Sequence, residues 1–89
     1  MKIESTEDFG VLIKRVRNAQ KLTQPELAGA SGVGVRFIVD LEKGKPTCQI
    51  EKALLVAQIL GIHFIAQEPS DINEKTVVTN VRIHNSLKC

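Results

Sequence analysis

The sequence predicts a mainly α domain of four helices, followed by one or two C-terminal β-strands. Three observations lead there. Apolar residues recur at helical spacing through four segments between Ser5 and Gly61. Cap and stop residues fall between those segments, most clearly "TQPE" at Thr23–Glu26 and the glycines at 32, 44 and 61. Beyond Gly61 the residues become β-branched and the helical period is lost.

The first helix is predicted from Ser5 or Thr6. Ser5 caps it, and Glu7 and Asp8 lie in its first turn, where the helix dipole favours anions. Phe9, Leu12, Ile13, Val16 and Ala19–Gln20 follow the inward i, i+3, i+4, i+7 rule, with Lys14, Arg15 and Asn18 outside. The pattern fades near Lys21–Leu22.

The second helix opens on a capping box, with Thr23 at N-cap and Glu26 at N3. Pro25 sits in the first turn, where its missing N–H costs nothing. Leu27, Ala28 and Ala30 are expected inward, and Ser31–Gly32 stop the helix. Gly32 takes the left-handed conformation in the following turn, and Val33 plugs the angle between two helices. A third helix runs from Val35 to about Lys43, capped by Gly34 and ended by Gly44. Ile38 and Leu41 point inward. Phe37 is open between the core and a phosphate, with the core favoured. Thr47 is expected to cap the fourth helix, whose stripe is Ile50, Ala53, Leu54, Ala57 and Leu60. Gly61 ends it. Strands are predicted over 62–67 and 76–83, then a polar tail.

The chain has 89 residues, 43% of them hydrophobic, enough for one modest core. Aromatics are only 3%, which argues against binding nucleic acid by base stacking. Net charge is +2, and the basic excess lies within residues 1–61. Cys48 and Cys89 fit neither a metal site nor a disulfide scaffold, so a reducing, cytoplasmic setting is expected. "MKIESTEDFG" lacks the apolar core of a signal peptide, and no run is long enough to cross a bilayer. His63 and His84 stand alone, so neither a metal nor another cofactor is expected. No motif places a nucleophile–base pair or paired carboxylates, so no enzyme is expected.

Two short helices joined by a glycine-containing turn, with one helix before and one after, describe a helix-turn-helix unit. In such a unit the second short helix enters the major groove of DNA and offers its N-terminal residues to base edges. Here those residues are Val35 and Arg36, with Val39 and Asp40 one turn on. Arg36 suits a bidentate pair with guanine, and Val35 suits a thymine methyl. Asp40 either accepts from a cytosine amine or orients Arg36 at i+4. With so few polar reading groups, part of the specificity is expected from DNA shape.

"LTQPELAGASGVGVRFIVDLEKGK" carries a capped "TQ", an "LA", a "GV" turn and an "I..LE.GK" ending. On these residues the segment 9–61 resembles the Cro/C1-type (XRE) helix-turn-helix family of phage and bacterial repressors. The resemblance implies phosphate contacts from Thr23 and Gln24 at the start of the second helix, and from Lys43 and Lys45 in the loop. It also implies a buried ion pair between Arg17 and Glu42 that ties the first helix to the third. Relatives often carry Gln, Ser or Thr where this chain has Val35, Phe37 and Val39.

The chain therefore divides into a DNA-binding domain at 5–61 and a C-terminal segment at 62–89. An apolar strand at 62–67 needs a partner edge. One solution is the same strand of a second copy, with Ile62, Phe64 and Ile65 as dimerisation residues. That would set two reading helices about one DNA turn, or roughly 34 Å, apart on a palindromic operator. The other is an intrachain hairpin with 76–83. A short domain of this kind followed by such a strand looks like the HipB-type antitoxins. That resemblance implies an autoregulating repressor that also binds a kinase-like toxin of the HipA type. The alternatives are an interaction module that mainly sequesters a toxin, and a stand-alone phage-type repressor.

Overall fold

A computed structural model describes residues 1–47 and 49–69. Four helices follow in chain order: α1 (Thr6–Ala19), α2 (Gln24–Ser31), α3 (Val35–Glu42) and α4 (Ile50–Ile59). Each begins or ends where its local chemistry requires. The Ser5 hydroxyl accepts from the Asp8 N–H at 3.1 Å, and the Glu4 N–H donates to Asp8 Oδ2 at 3.0 Å. The α2 capping box is complete. The Glu26 N–H donates to Thr23 Oγ1 at 3.1 Å, and the Thr23 N–H donates to Glu26 Oε1 at 2.8 Å. The bond from the Thr23 backbone, joined by its hydroxyl, holds the Glu26 carboxyl below the usual carboxylate range.

All four helices close with the same pair of backbone bonds, 6→1 and 5→2. They run from Leu22 and Lys21 to Arg17 and Asn18, from Val33 and Gly32 to Ala28 and Gly29, from Lys45 and Gly44 to Asp40 and Leu41, and from Ile62 and Gly61 to Ala57 and Gln58. The left-handed residue is glycine in three cases and Lys21, at φ +60°, in the first. In three of the four the next residue is apolar. Leu22, Val33 and Ile62 all fold back on the core. Val33 is thus the plug expected at the α2–α3 turn.

The core is Ile13, Leu27, Ala28, Ile38, Leu41, Ala53, Val56, Ala57 and Leu60. Phe9, Val16 and Phe37 pack against it half-buried, so Phe37 belongs to the core side. α3 packs on α1 and α2, and α4 packs on α2. The α1–α3 approach is close because α1 carries Gly10 there. A Cβ at that position would lie 2.5 Å from the Leu41 carbonyl oxygen and 2.7 Å from that of Glu42. The start of α1 also bonds to the end of α3: Thr6 Oγ1 donates to the Gly44 carbonyl at 2.6 Å.

Several expectations need correction. Ala30, Ile50 and Leu54 are exposed rather than inward, as are Ala19 and Gln20, while Val56 is fully buried. α4 is apolar on most sides, so its period alone does not tell which stripe meets α2. Thr47 does not cap α4. Its hydroxyl accepts from the Gln49 N–H at 3.0 Å, a tight local turn, and the helix begins one residue beyond Gln49. Residues 62–67 form no strand among the described residues, because Ile62 is the closing residue of α4 and Phe64 stacks on Phe9, ring centroids 5.6 Å apart. Cys48, the strand expected at 76–83 and Cys89 lie outside the described residues. Among the described residues, no helix is long and apolar enough to cross a membrane.

Two substitutions in α1 and its closing turn should move stability in opposite directions. Gly10→Ala gains about 1 kcal/mol of helix propensity but forces the helices apart against rigid backbone, at about 1–3 kcal/mol. We expect a net loss, read as a lower Tm in thermal unfolding followed by circular dichroism; an unchanged or raised Tm would show that α1 can yield. Lys21→Gly removes a left-handed penalty of about 1–2 kcal/mol and adds about 0.5–1 kcal/mol of unfolded-state entropy. The same measurement should show a net rise in Tm.

Candidate nucleic-acid interface

Burial sorts the residues of α3 into two faces. Ile38 and Leu41 are buried, with Phe37 beside them. Val35 and Arg36 are exposed, Val39 and Asp40 are half-buried, and Lys43 follows exposed at the helix end. Arg36, Asp40 and Lys43 stand at i, i+4 and i+7, so they share one outward face with Val39. The N-terminal end of α3 is open: the Arg36 side chain is 73% exposed, and Gly34 caps the helix without a side-chain bond.

Position is imposed on α3 from its other end. Arg17 Nε donates to Glu42 Oε2 at 2.6 Å, and Arg17 Nη2 donates to Glu42 Oε1 at 3.0 Å. This is a two-point pair with both side chains buried, the ion pair expected between these residues. Arg17 Nη1 also donates to the Leu22 carbonyl at 2.7 Å. Hydrogen bonding to Glu42 pushes the Arg17 guanidinium above its ordinary value, against the opposing effect of burial. Gln24 Nε2 adds a fourth connection, donating to Glu42 Oε1 at 3.1 Å. One cluster therefore joins α1, the α1–α2 turn, the first residue of α2 and the last residue of α3.

The expected phosphate-contacting residues fall into two groups. Thr23 and Gln24 lie at the start of α2. Thr23 is exposed, with its oxygen engaged in the capping box. Gln24 is half-buried and has one amide donor committed to Glu42, which leaves its carbonyl oxygen and second N–H. Lys43 and Lys45 lie at the end of α3 and are exposed. The closing turn folds Lys45 back over the helix. Its N–H reaches the Asp40 carbonyl at 3.1 Å, and its Nζ lies 3.4 Å from Asp40 Oδ1. Arg36 Nε lies 3.3 Å from the same oxygen. Of the two roles open to Asp40, the geometry displays the i, i+4 contact with Arg36. The contact with Lys45 was not anticipated from sequence; the "GK" after the helix was its signal, since a glycine turn carries the next residue back over the last helical turn.

Of the expected dimerisation residues, Ile62 is half-buried as the closing residue of α4. Phe64 is 45% exposed while stacking on Phe9, and Ile65 is 92% exposed. Among the described residues, no group of three His, Cys, Asp or Glu side chains comes together as metal ligands.

Comparison with known proteins places this geometry. The helix-turn-helix family profile matches residues 13–66, which span the second half of α1 through the segment after α4. An uncharacterised HTH-type transcriptional regulator of Sinorhizobium fredii is 58% identical over 60 residues, covering 67% of this chain and 79% of that protein. The profile's span of residues 13–66 contains the capping box, α3 and the Arg17–Glu42 cluster. The chain belongs to the Cro/C1-type helix-turn-helix family of DNA-binding regulators.

Proposed function

We propose that the protein is a homodimeric, sequence-specific repressor that reads a palindromic operator with α3 of each copy, and that it is the antitoxin of a HipA-type toxin–antitoxin pair. The observation that carries the DNA-reading part is the open N-terminal end of α3. Val35 and Arg36 stand exposed, while Ile38 and Leu41 behind them are buried and fix the helix. Arg36, with its side chain 73% exposed, pairs with Asp40 at i+4, a contact worth about 0.3–0.5 kcal/mol. A bidentate guanine contact is worth about 1–3 kcal/mol, so it adds more to binding than that pair adds to the free chain. Val35 and Val39 serve thymine methyls, and DNA shape supplies further discrimination. Thr23, Gln24, Lys43 and Lys45 contact phosphates on either side of the groove.

The antitoxin part is supported by the resemblance of "GVRFIVDLEKGKPT" to HipB-type proteins and by apolar surface left outside the core. Leu54, Leu55 and Ile59 are exposed on α4, and Phe64 and Ile65 follow it. A second copy and a kinase-like partner are the two occupants in this reading. The protein acts in the cytoplasm and catalyses nothing.

Salt titration tests the DNA-binding part. A dimer making about 6–10 phosphate contacts should lose on the order of 10³–10⁵ in affinity between about 50 and 200 mM salt. Arg36→Ala should cost about 1–3 kcal/mol at one base pair of each half-site and relax preference there, whereas Lys45→Ala should weaken all sequences alike. A flat salt response, or an unaltered base preference in Arg36→Ala, sinks the assignment. Capture of a kinase-like partner by the full chain tests the antitoxin part, and capture of none sinks it. Removal of residues 68–89 then locates the contact: lost capture with persisting DNA binding places it in that segment, and retained capture places it on the apolar surface within residues 1–67.

A further inference from the structure

Asp40 does more than occupy the outward face of α3. Its Oδ1 is closed off from solvent and receives no hydrogen bond of good geometry. Two cations cover it, Arg36 Nε at 3.3 Å and Lys45 Nζ at 3.4 Å. Both cations remain largely exposed, at 73% and 53% of their side chains. One carboxylate oxygen thus bridges the residue assigned to base reading and a residue assigned to the DNA backbone. The closest approach is through Nε, whereas the fork that suits a guanine edge is made by the terminal nitrogens of a side chain that stays 73% exposed.

We propose that Asp40 is a specificity-determining residue, whose shared carboxylate oxygen keeps Arg36 aimed at base edges and Lys45 neutralised until a duplex satisfies both. This inference rests on the DNA-binding reading above. Phosphates attract any free cation, whatever the sequence. An arginine held by Nε cannot swing to the nearest phosphate without leaving its partner. Lys45 must also exchange Asp40 for a phosphate, and the carboxylate opposes the phosphate's charge. Both effects weaken binding to random sequence. At a site with guanine in place, Arg36 makes its base contact without giving up Asp40, so the operator is penalised less. Asp40 therefore positions; it need not touch a base itself.

The experiment compares the full chain with Asp40→Asn on two probes, a mixed-sequence duplex and the best duplex selected in vitro from a randomised library. Asp40→Asn should raise mixed-sequence affinity about tenfold, lower the preference for the selected duplex about tenfold, and steepen the salt slope by about one per protomer. Asp40→Glu, which restores the charge, should recover weak mixed-sequence binding. In a Lys45→Ala background the gain from Asp40→Asn should shrink to the share carried by Arg36. The proposal is overturned if Asp40→Asn leaves mixed-sequence affinity and salt slope unchanged, or lowers both affinities in parallel as a folding defect would. An undiminished gain in the Lys45→Ala background also overturns it, because position 40 would then act as a bare surface charge. A wild-type chain that binds neither duplex in a salt-dependent way sinks the DNA-binding reading itself, an outcome visible before any variant is made.

Discussion

The position of α3 depends on the buried pair of Arg17 and Glu42. Burying two charges is costly, and the cost is offset only when the geometry is good and the spare donors find partners. Here both conditions hold. The guanidinium meets the carboxylate at two points, and its remaining edge goes to the Leu22 carbonyl. Glu42 also takes the Gln24 amide. Replacing such a pair by apolar side chains is often neutral for stability, whereas removing one partner costs about 3–5 kcal/mol. Its physical content is therefore less a gain in stability than a demand for one arrangement. The last residue of α3 must sit against α1 and against the first residue of α2. Any slide of α3 leaves a buried charge unpaired.

That demand is compatible with the fold only because the backbones of α1 and α3 can approach closely. Gly10 removes the one Cβ that would stand between them, seven residues before Arg17. Gly44 does the same at the other end of the contact: a Cβ there would lie 2.8 Å from the Glu7 Cα. Its φ of +80° also makes the turn that brings Lys45 back to Asp40. Two glycines, one charge pair and one hydroxyl bond from Thr6 thus fix a helix of eight residues from its C-terminal half. Its first two residues, Val35 and Arg36, are left exposed.

What could be read from the sequence was mostly local. The Ser5 cap, the Thr23–Glu26 box and the glycine stops each depend on residues within six positions, and each is present as expected. The strand expected at 62–67 is absent from the described residues, and at Ile62 the reason is that an apolar residue after a glycine stop has two meanings. It can open a strand, or it can be the side chain that folds back on the helix just ended. Ile62 is the second, and the same rule that identified Val33 would have identified it. Gly10 carried no local signal, since its role arises only when α3 arrives. Lys21 carried none either, because a left-handed lysine looks like any lysine in sequence. Arg17 and Glu42 stand twenty-five positions apart, and only the family resemblance joined them.

The composition of α3 follows from this division of labour. A helix fixed at one end and free at the other needs its apolar residues for anchoring, and Ile38, Leu41 and Phe37 supply that. Val35 and Val39 add apolar surface on the free side, where water penalises it by about 25 cal/mol per Å². Both are short and branched, with few rotamers to freeze on contact. A thymine methyl fits such a side chain, while a phosphate gains nothing from it. In the proposed DNA-reading role, two valines flanking one arginine would attract DNA less strongly than polar residues, and would lose less entropy when the groove fits. In the proposed reading such a surface depends on correct placement more than on charge, so the constraint at Arg17 and Glu42, at the opposite end of α3, would govern what Arg36 can reach.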